Sequence, residues 1–134
     1  MPACILIVEN NEANLNLVRY LLQHRGYATL AAVDGNAGVE MAHAHHPDLI
    51  LCDLQMPGLD GFGVLRKLRE DPELHNVVMI AVTALSMPGD RDSVLAAGFD
   101  GYLAKPIDPE TFVTQIEAYL RPEARVPPPR APDP

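Results

Sequence analysis

The chain reads as an α/β protein with a doubly wound, five-stranded parallel sheet and helices on both faces. Three observations give that class. The runs at 4–8, 49–52 and 77–82 are apolar from end to end, which suits strands buried on both faces rather than half-exposed ones. Stretches with apolar residues at helical spacing alternate with these runs, the pattern of strand–helix–strand crossovers. Four runs end on polar residues (Glu9 with Asn10, Asp53, Thr83, Lys105), and open α/β sheets bind ligands just outside the carboxyl ends of their strands. Of the two common strand orders, a five-stranded chain fits 2-1-3-4-5, an expectation drawn from known sheets of this kind.

The elements follow in order. After the first strand, Leu15, Val18, Leu21 and Leu22 mark a helix over 12–24, and Gly26 is its stop signal. A short strand spans 27–32, and Asp34 with Gly35 turns into a helix running to His43. Pro47 and Asp48 precede the third strand, which ends on Asp53; Met56, Pro57 and Gly58 then turn the chain. A helix over 61–69 carries Phe62, Leu65 and Leu68 inward, and Asp71 with Pro72 closes it. The fourth strand ends on Thr83, a helix over 88–97 stops at Gly98, and a short strand over 101–104 leads to Lys105 and Pro106. For the last helix, Asp108 is the expected N-cap and Pro109 the first helical residue, with Ile107 stapled against Phe112. Its apolar face is Phe112, Val113, Ile116, Tyr119 and Leu120.

A length of 134 residues is that of one domain, expected over 1–121, and 48% hydrophobic residues suffice for a core. Six prolines among the final 13 residues predict an extended, solvated tail over 122–134. A net charge of -8 and a pI near 4.9 argue against a nucleic-acid or anionic membrane surface. No apolar run reaches the roughly 20 residues of a membrane span, and the N-terminus lacks a secretory pattern, so the expected location is cytoplasmic. Cys4 and Cys52 lie in strands without zinc-type spacing and read as buried free thiols.

A lone aspartate after a strand is ordinarily a loop or capping residue. Asp53 stands apart because Glu9, Asn10, Thr83 and Lys105 reach the same edge on the expected topology. Clustered carboxylates repel unless a cation neutralises them, and Mg²⁺ is the natural one, held by one or two carboxylates and completed by waters and phosphate oxygens. A lysine and a threonine hydroxyl complement a phosphoryl group, and a carboxylate so surrounded can be the nucleophile that becomes an acyl phosphate.

The runs 5–9, 47–57, 82–84 and 102–106 resemble receiver domains of two-component response regulators over about residues 4–121. In layout the chain is most similar to the free-standing chemotaxis and DivK-like cell-cycle type, a flavodoxin-like fold, since no output domain follows. The resemblance implies that Asp53 is the phosphoacceptor, that Thr83 and Lys105 hold phosphoryl oxygens, and that Tyr102 is the switch aromatic. It implies Mg²⁺ on Glu9, Asn10, Asp53 and the backbone carbonyl of Gln55, and a cis peptide joining Lys105 to Pro106. The implied donor is a sensor histidine kinase or histidine phosphotransferase, and the output a contact with a downstream protein through helix 4, strand 5 and helix 5. On this reading the chain catalyses at most its own phosphorylation and dephosphorylation.

Asn10 departs from the pattern, because receivers carry an acid there. Its amide keeps a carbonyl oxygen but removes a charge, so weaker Mg²⁺ binding is expected; capping of the first helix is the bland role. The rival reading is a pseudo-receiver that binds partners without phosphorylation. A flavodoxin-like nucleotide binder would need a glycine- or hydroxyl-rich loop where the acidic 9–12 stands. An aspartate-nucleophile phosphatase would need an acid where Gln55 stands. His43, His45 and His46 suggest a metal site by density alone; complementing the helix dipole or facing solvent is the simpler role.

Overall fold

The computed structural model describes residues 2–84 and 89–126. The strands are β1 (Cys4–Val8), β2 (Ala28–Ala32), β3 (Leu49–Asp53), β4 (Val78–Thr83) and β5 (Gly101–Ala104). They alternate with the helices α1 (Glu12–Arg25), α2 (Gly35–His45), α3 (Gly61–Arg69), α4 (Asp90–Ala97) and α5 (Phe112–Glu117). All pairings are parallel, in the order β2-β1-β3-β4-β5. The class and the strand order expected from the sequence both hold.

Strand side chains alternate between two cores, which is why the runs are apolar throughout. Ile5, Ile7, Leu49, Leu51, Ile80 and Val82 pack with Leu15, Val18 and Leu22 of α1 and with Phe112 and Ile116 of α5. On the other face, Leu6, Val8, Ile50, Cys52, Met79 and Ala81 pack with Ala42 of α2, with Val64, Leu65 and Leu68 of α3, and with Val94 of α4. All five residues of the central strand β3 are buried. The starts of α1, α2 and α3 are fixed by side-chain caps: Asn11 accepts from Asn14 N, Asp34 from Ala37 N and Asp60 from Gly63 N. Asn11 rather than Asn10 is therefore the cap of α1.

Several boundaries depart from the sequence reading; α2 runs on to His45, and α5 ends at Glu117, so Tyr119 and Leu120 of its expected apolar face lie beyond the helix. Residues 109–111 form a turn, not helix: Asp108 Oδ1 accepts from Glu110 N at 3.0 Å, while its carbonyl accepts from Thr111 N and Phe112 N. Asp108 thus caps a tight lead-in turn, and regular helix begins at Phe112. Helix α4 begins at Asp90 after Gly89, whose φ of 90° suits glycine; the expected start at Pro88 lies outside the described residues. The expected tail is also corrected in its first residues. Pro122–Ala124 is a 3₁₀ turn, and Ala3 N donates to Ala124 O at 2.9 Å. Residues 127–134 lie outside the described residues.

Tyr27 anchors this C-terminal segment. It is 3% exposed, its hydroxyl donates to Glu117 and accepts from Val126 N at 3.0 Å, and burial pushes its pKa up, with Glu117 adding to the shift. Tyr27→Phe strands the Val126 amide and removes the donor to Glu117. It is expected to lower the unfolding free energy by about 1–3 kcal/mol in urea denaturation. A change within about 0.5 kcal/mol, the scatter of surface substitutions, contradicts the assignment.

Candidate functional site

Three of the residues singled out in the sequence meet directly. Glu9 leaves the end of β1, its amide still bonded to Ala32 O at 3.0 Å. Asp53 closes β3, the strand hydrogen-bonded to β1. Lys105 follows β5 and is held by its own amide on Thr83 O at 2.8 Å. Its Nζ donates to Glu9 Oε1 at 2.7 Å and to Asp53 Oδ2 at 3.0 Å. The side chains are 15% exposed for Lys105 and 6% for each acid, so the triad is largely withdrawn from solvent.

Two carboxylates share one ammonium, and the arrangement carries an excess of negative charge. Burial pushes the Glu9 carboxyl above the ordinary glutamate value, with Lys105 opposing and Asp53 adding to the shift. For Lys105 burial disfavours the ammonium, but the bonds to Glu9 and Asp53 outweigh it and the pKa is raised. Asp53 Oδ1 also accepts from Gln55 N at 3.1 Å, which fixes the loop after β3 against the acid. Gly61 lies behind it: a Cβ there would stand 2.5 Å from Asp53 O, so only glycine allows α3 to start so close.

The donor set fits a hard divalent cation. Buried carboxylates in excess of one positive charge call for a further cation, and carboxylate oxygens are the hard ligands that Mg²⁺ accepts. No group of three or more His, Cys, Asp or Glu is built to hold a metal among the described residues, so such a cation would keep several waters.

The other expected residues take distinct places. Thr83 ends β4 and is fully buried; Val82 before it is the register partner of Asp53. Tyr102 on β5 is half-buried and pairs with Ala81, and Thr83 pairs with Ala104, so Tyr102 and Thr83 share one face of the sheet. The Lys105–Pro106 peptide bond is cis. Asn10 is exposed on the loop between β1 and α1 and makes no side-chain hydrogen bond among the described residues.

The histidines do not converge. His43 Nδ1 lies 2.6 Å from Asp71 Oδ2 and His46 Nε2 3.5 Å from Glu73 Oε2, carboxylates of the α3–β4 connection. Cys4 and Cys52 are both free, but only Cys52 is buried as expected, which pushes its thiol pKa up; Cys4, at the start of β1, is half-buried. One residue that the sequence reading did not single out touches the site: Asn14 Nδ2 lies 3.3 Å from Glu9 Oε1. Its signal was its place on α1 one turn before Val18, both on the wall of the crevice.

The sequence profile of the response regulator receiver domain matches residues 5–117. The chain belongs to the response regulator receiver family. The polar-differentiation response regulators DivK of Brucella anthropi and Brucella ovis are each 40% identical over 120 residues, covering 90% of this chain and 98% of theirs. Among solved structures, the chemotaxis response regulator CheY4 of Vibrio cholerae superimposes with a TM-score of 0.84 at 27% identity, covering 90% of this chain and all of that one. The receiver domain of the sensor histidine kinase PA1611 of Pseudomonas aeruginosa gives 0.80 at 33% identity, over 89% and 98% of the two chains. That structure has a magnesium ion coordinated in its active site cleft. A receiver is a signalling domain of two-component systems, and no helix of this one, among the described residues, is long and apolar enough to cross a membrane.

The raised Glu9 pKa sets a pH dependence. The folded receiver holds the Glu9 proton more tightly than the unfolded chain, so this contribution to stability falls as pH rises from the ordinary value of 4.5 through the folded one. In urea unfolding of the metal-free protein, Glu9→Gln should gain stability relative to the parent across that window and then level off. A difference that does not change with pH contradicts the shift.

Proposed function

We propose that Asp53 accepts a phosphoryl group from a phosphohistidine on a sensor histidine kinase or histidine phosphotransferase, and that the change is read by a downstream protein in the cytoplasm. The observation that carries this reading is the Lys105 ammonium bridging Glu9 and Asp53 at the end of the sheet. A buried carboxylate paired with a lysine ammonium, at the sheet end where a threonine closes the next strand, is suited to nucleophilic attack on phosphorus.

In the reaction an Asp53 oxygen forms the new bond to phosphorus, the phosphorus–nitrogen bond breaks, and the electron pair leaves with the donor imidazole. Glu9, Asn10, Asp53 and the carbonyl of Gln55 would hold Mg²⁺, which when bound supplies charge neutralisation for the phosphoryl oxygens. Lys105 exchanges a carboxylate partner for a phosphoryl oxygen, and the Thr83 hydroxyl takes another. Because Tyr102 shares the face of Thr83, closure at Thr83 favours the inward position of the Tyr102 ring. Phosphorylation thereby shifts a two-state equilibrium on the surface of α4, β5 and α5. The phosphorylation-independent interaction module stays as the rival because of Asn10 alone, an exposed amide where the family has an acid.

Incubation with acetyl phosphate and Mg²⁺ followed by intact-mass measurement tests the proposal. A gain of one phosphoryl group that is lost in Asp53→Ala is expected, and no gain favours the rival. Asn10→Asp adds a charge to the cluster and is expected to tighten Mg²⁺ binding severalfold, measured by calorimetric titration. Equal affinities would remove Asn10 from the metal site.

A further inference from the structure

We infer that Asn14 is a positioning residue for the metal-binding carboxylate, a part that rests on the function proposed above. Asn14 is the third residue of α1 after its cap, and its backbone amide donates to Asn11 Oδ1 at 3.0 Å. At this position a long acidic or amide side chain ordinarily reaches back to the backbone amide of the cap. Asn14 instead sends its side chain past the cap to Glu9 Oε1, 3.3 Å away. Glu9 is 4% exposed and ionised glutamate only accepts, so the amide meets it through Nδ2. The cap of α1 and the acid at the end of β1 are thus joined through one side chain.

The bond matters because of what Lys105 must do. In this state Lys105 and Asn14 both donate to Oε1 of Glu9. When Lys105 turns to a phosphoryl oxygen, Glu9 loses its ammonium partner and keeps the Asn14 amide. That amide would hold Oε1 without neutralising the carboxylate, leaving the second oxygen and the full negative charge available to a cation. An amide does this better than a second cation, which would compete with the metal. The demand on Glu9 is greater here than in receivers with an acid at position 10, since Glu9 and Asp53 are the two carboxylates of the site.

The test is the Mg²⁺ affinity of the metal-free chain and of two variants by calorimetric titration, with urea unfolding of each without metal. Asn14→Ala removes the donor and is expected to weaken Mg²⁺ binding about 10-fold, the lower end of what loss of an outer-shell partner costs. Asn14→Gln keeps an amide donor and should recover most of that loss, with the urea midpoints of the three proteins close together. Unchanged affinity in Asn14→Ala overturns the inference and leaves the proposed function standing. An equal loss in both variants, accompanied by a matching fall in the urea midpoint, makes Asn14 a structural helix residue and also overturns it. No Mg²⁺ binding by the unaltered chain overturns the proposed function itself, and this inference with it.

Discussion

The Lys105 ammonium lies between two carboxylates that neighbouring strands would otherwise press together without compensation. Glu9 and Asp53 come from β1 and β3, strands in direct register, and both are nearly closed to solvent. Buried like charges at such proximity disfavour the compact state unless a cation is delivered to them. It arrives from the far edge of the sheet: Lys105 is anchored by its amide to the carbonyl of Thr83 and reaches past the end of β4. The strand order is what makes this possible. With β1, β3, β4 and β5 side by side, the acids, the hydroxyl and the amine all emerge at one end of the sheet.

On the function proposed, the same contact is the one that changes. A lysine that merely stabilised the fold could be buried with one acid; this one is divided between two and stands 15% exposed, within reach of an arriving group. Surrounding structure is far less yielding. All of β3 is buried, the loop after it is tied to Asp53 through Gln55, and α3 begins against the Asp53 carbonyl where only Gly61 fits. In the proposed reaction a charge partner is replaced while the packed strands that present it stay in place.

The parts of this arrangement that were legible in the sequence are those set by hydrophobicity. Runs such as 49–52 are buried on both faces and so apolar without interruption, and Glu9, Asp53, Thr83 and Lys105 stand out because each stands where such a run ends. Features decided by single hydrogen bonds were not legible. Asn10 and Asn11 are the same residue type, and only the backbone geometry makes the second the cap of α1. Asp108 has the composition of a helix cap, yet the amide it accepts from begins a turn. The prolines after 121 read as solvated chain, but the amides of Ala3 and Val126 find partners across the fold, Ala124 and Tyr27, that no local pattern announces. Asn14 was hidden in the same way, a polar residue on a helix whose partner stands before the helix begins.

The shared ammonium can be observed without any ligand. Carbon and nitrogen NMR of the Lys105 side chain, followed through alkaline titration of the metal-free protein, reads its pKa directly. Both carboxylates favour the charged form against the cost of burial, so Lys105 should titrate above the ordinary lysine value of 10.5 and move back toward it in Glu9→Gln. Titration at or below the ordinary value in the unaltered protein would mean that Lys105 does not serve two acids, contradicting the charge balance on which the site is built.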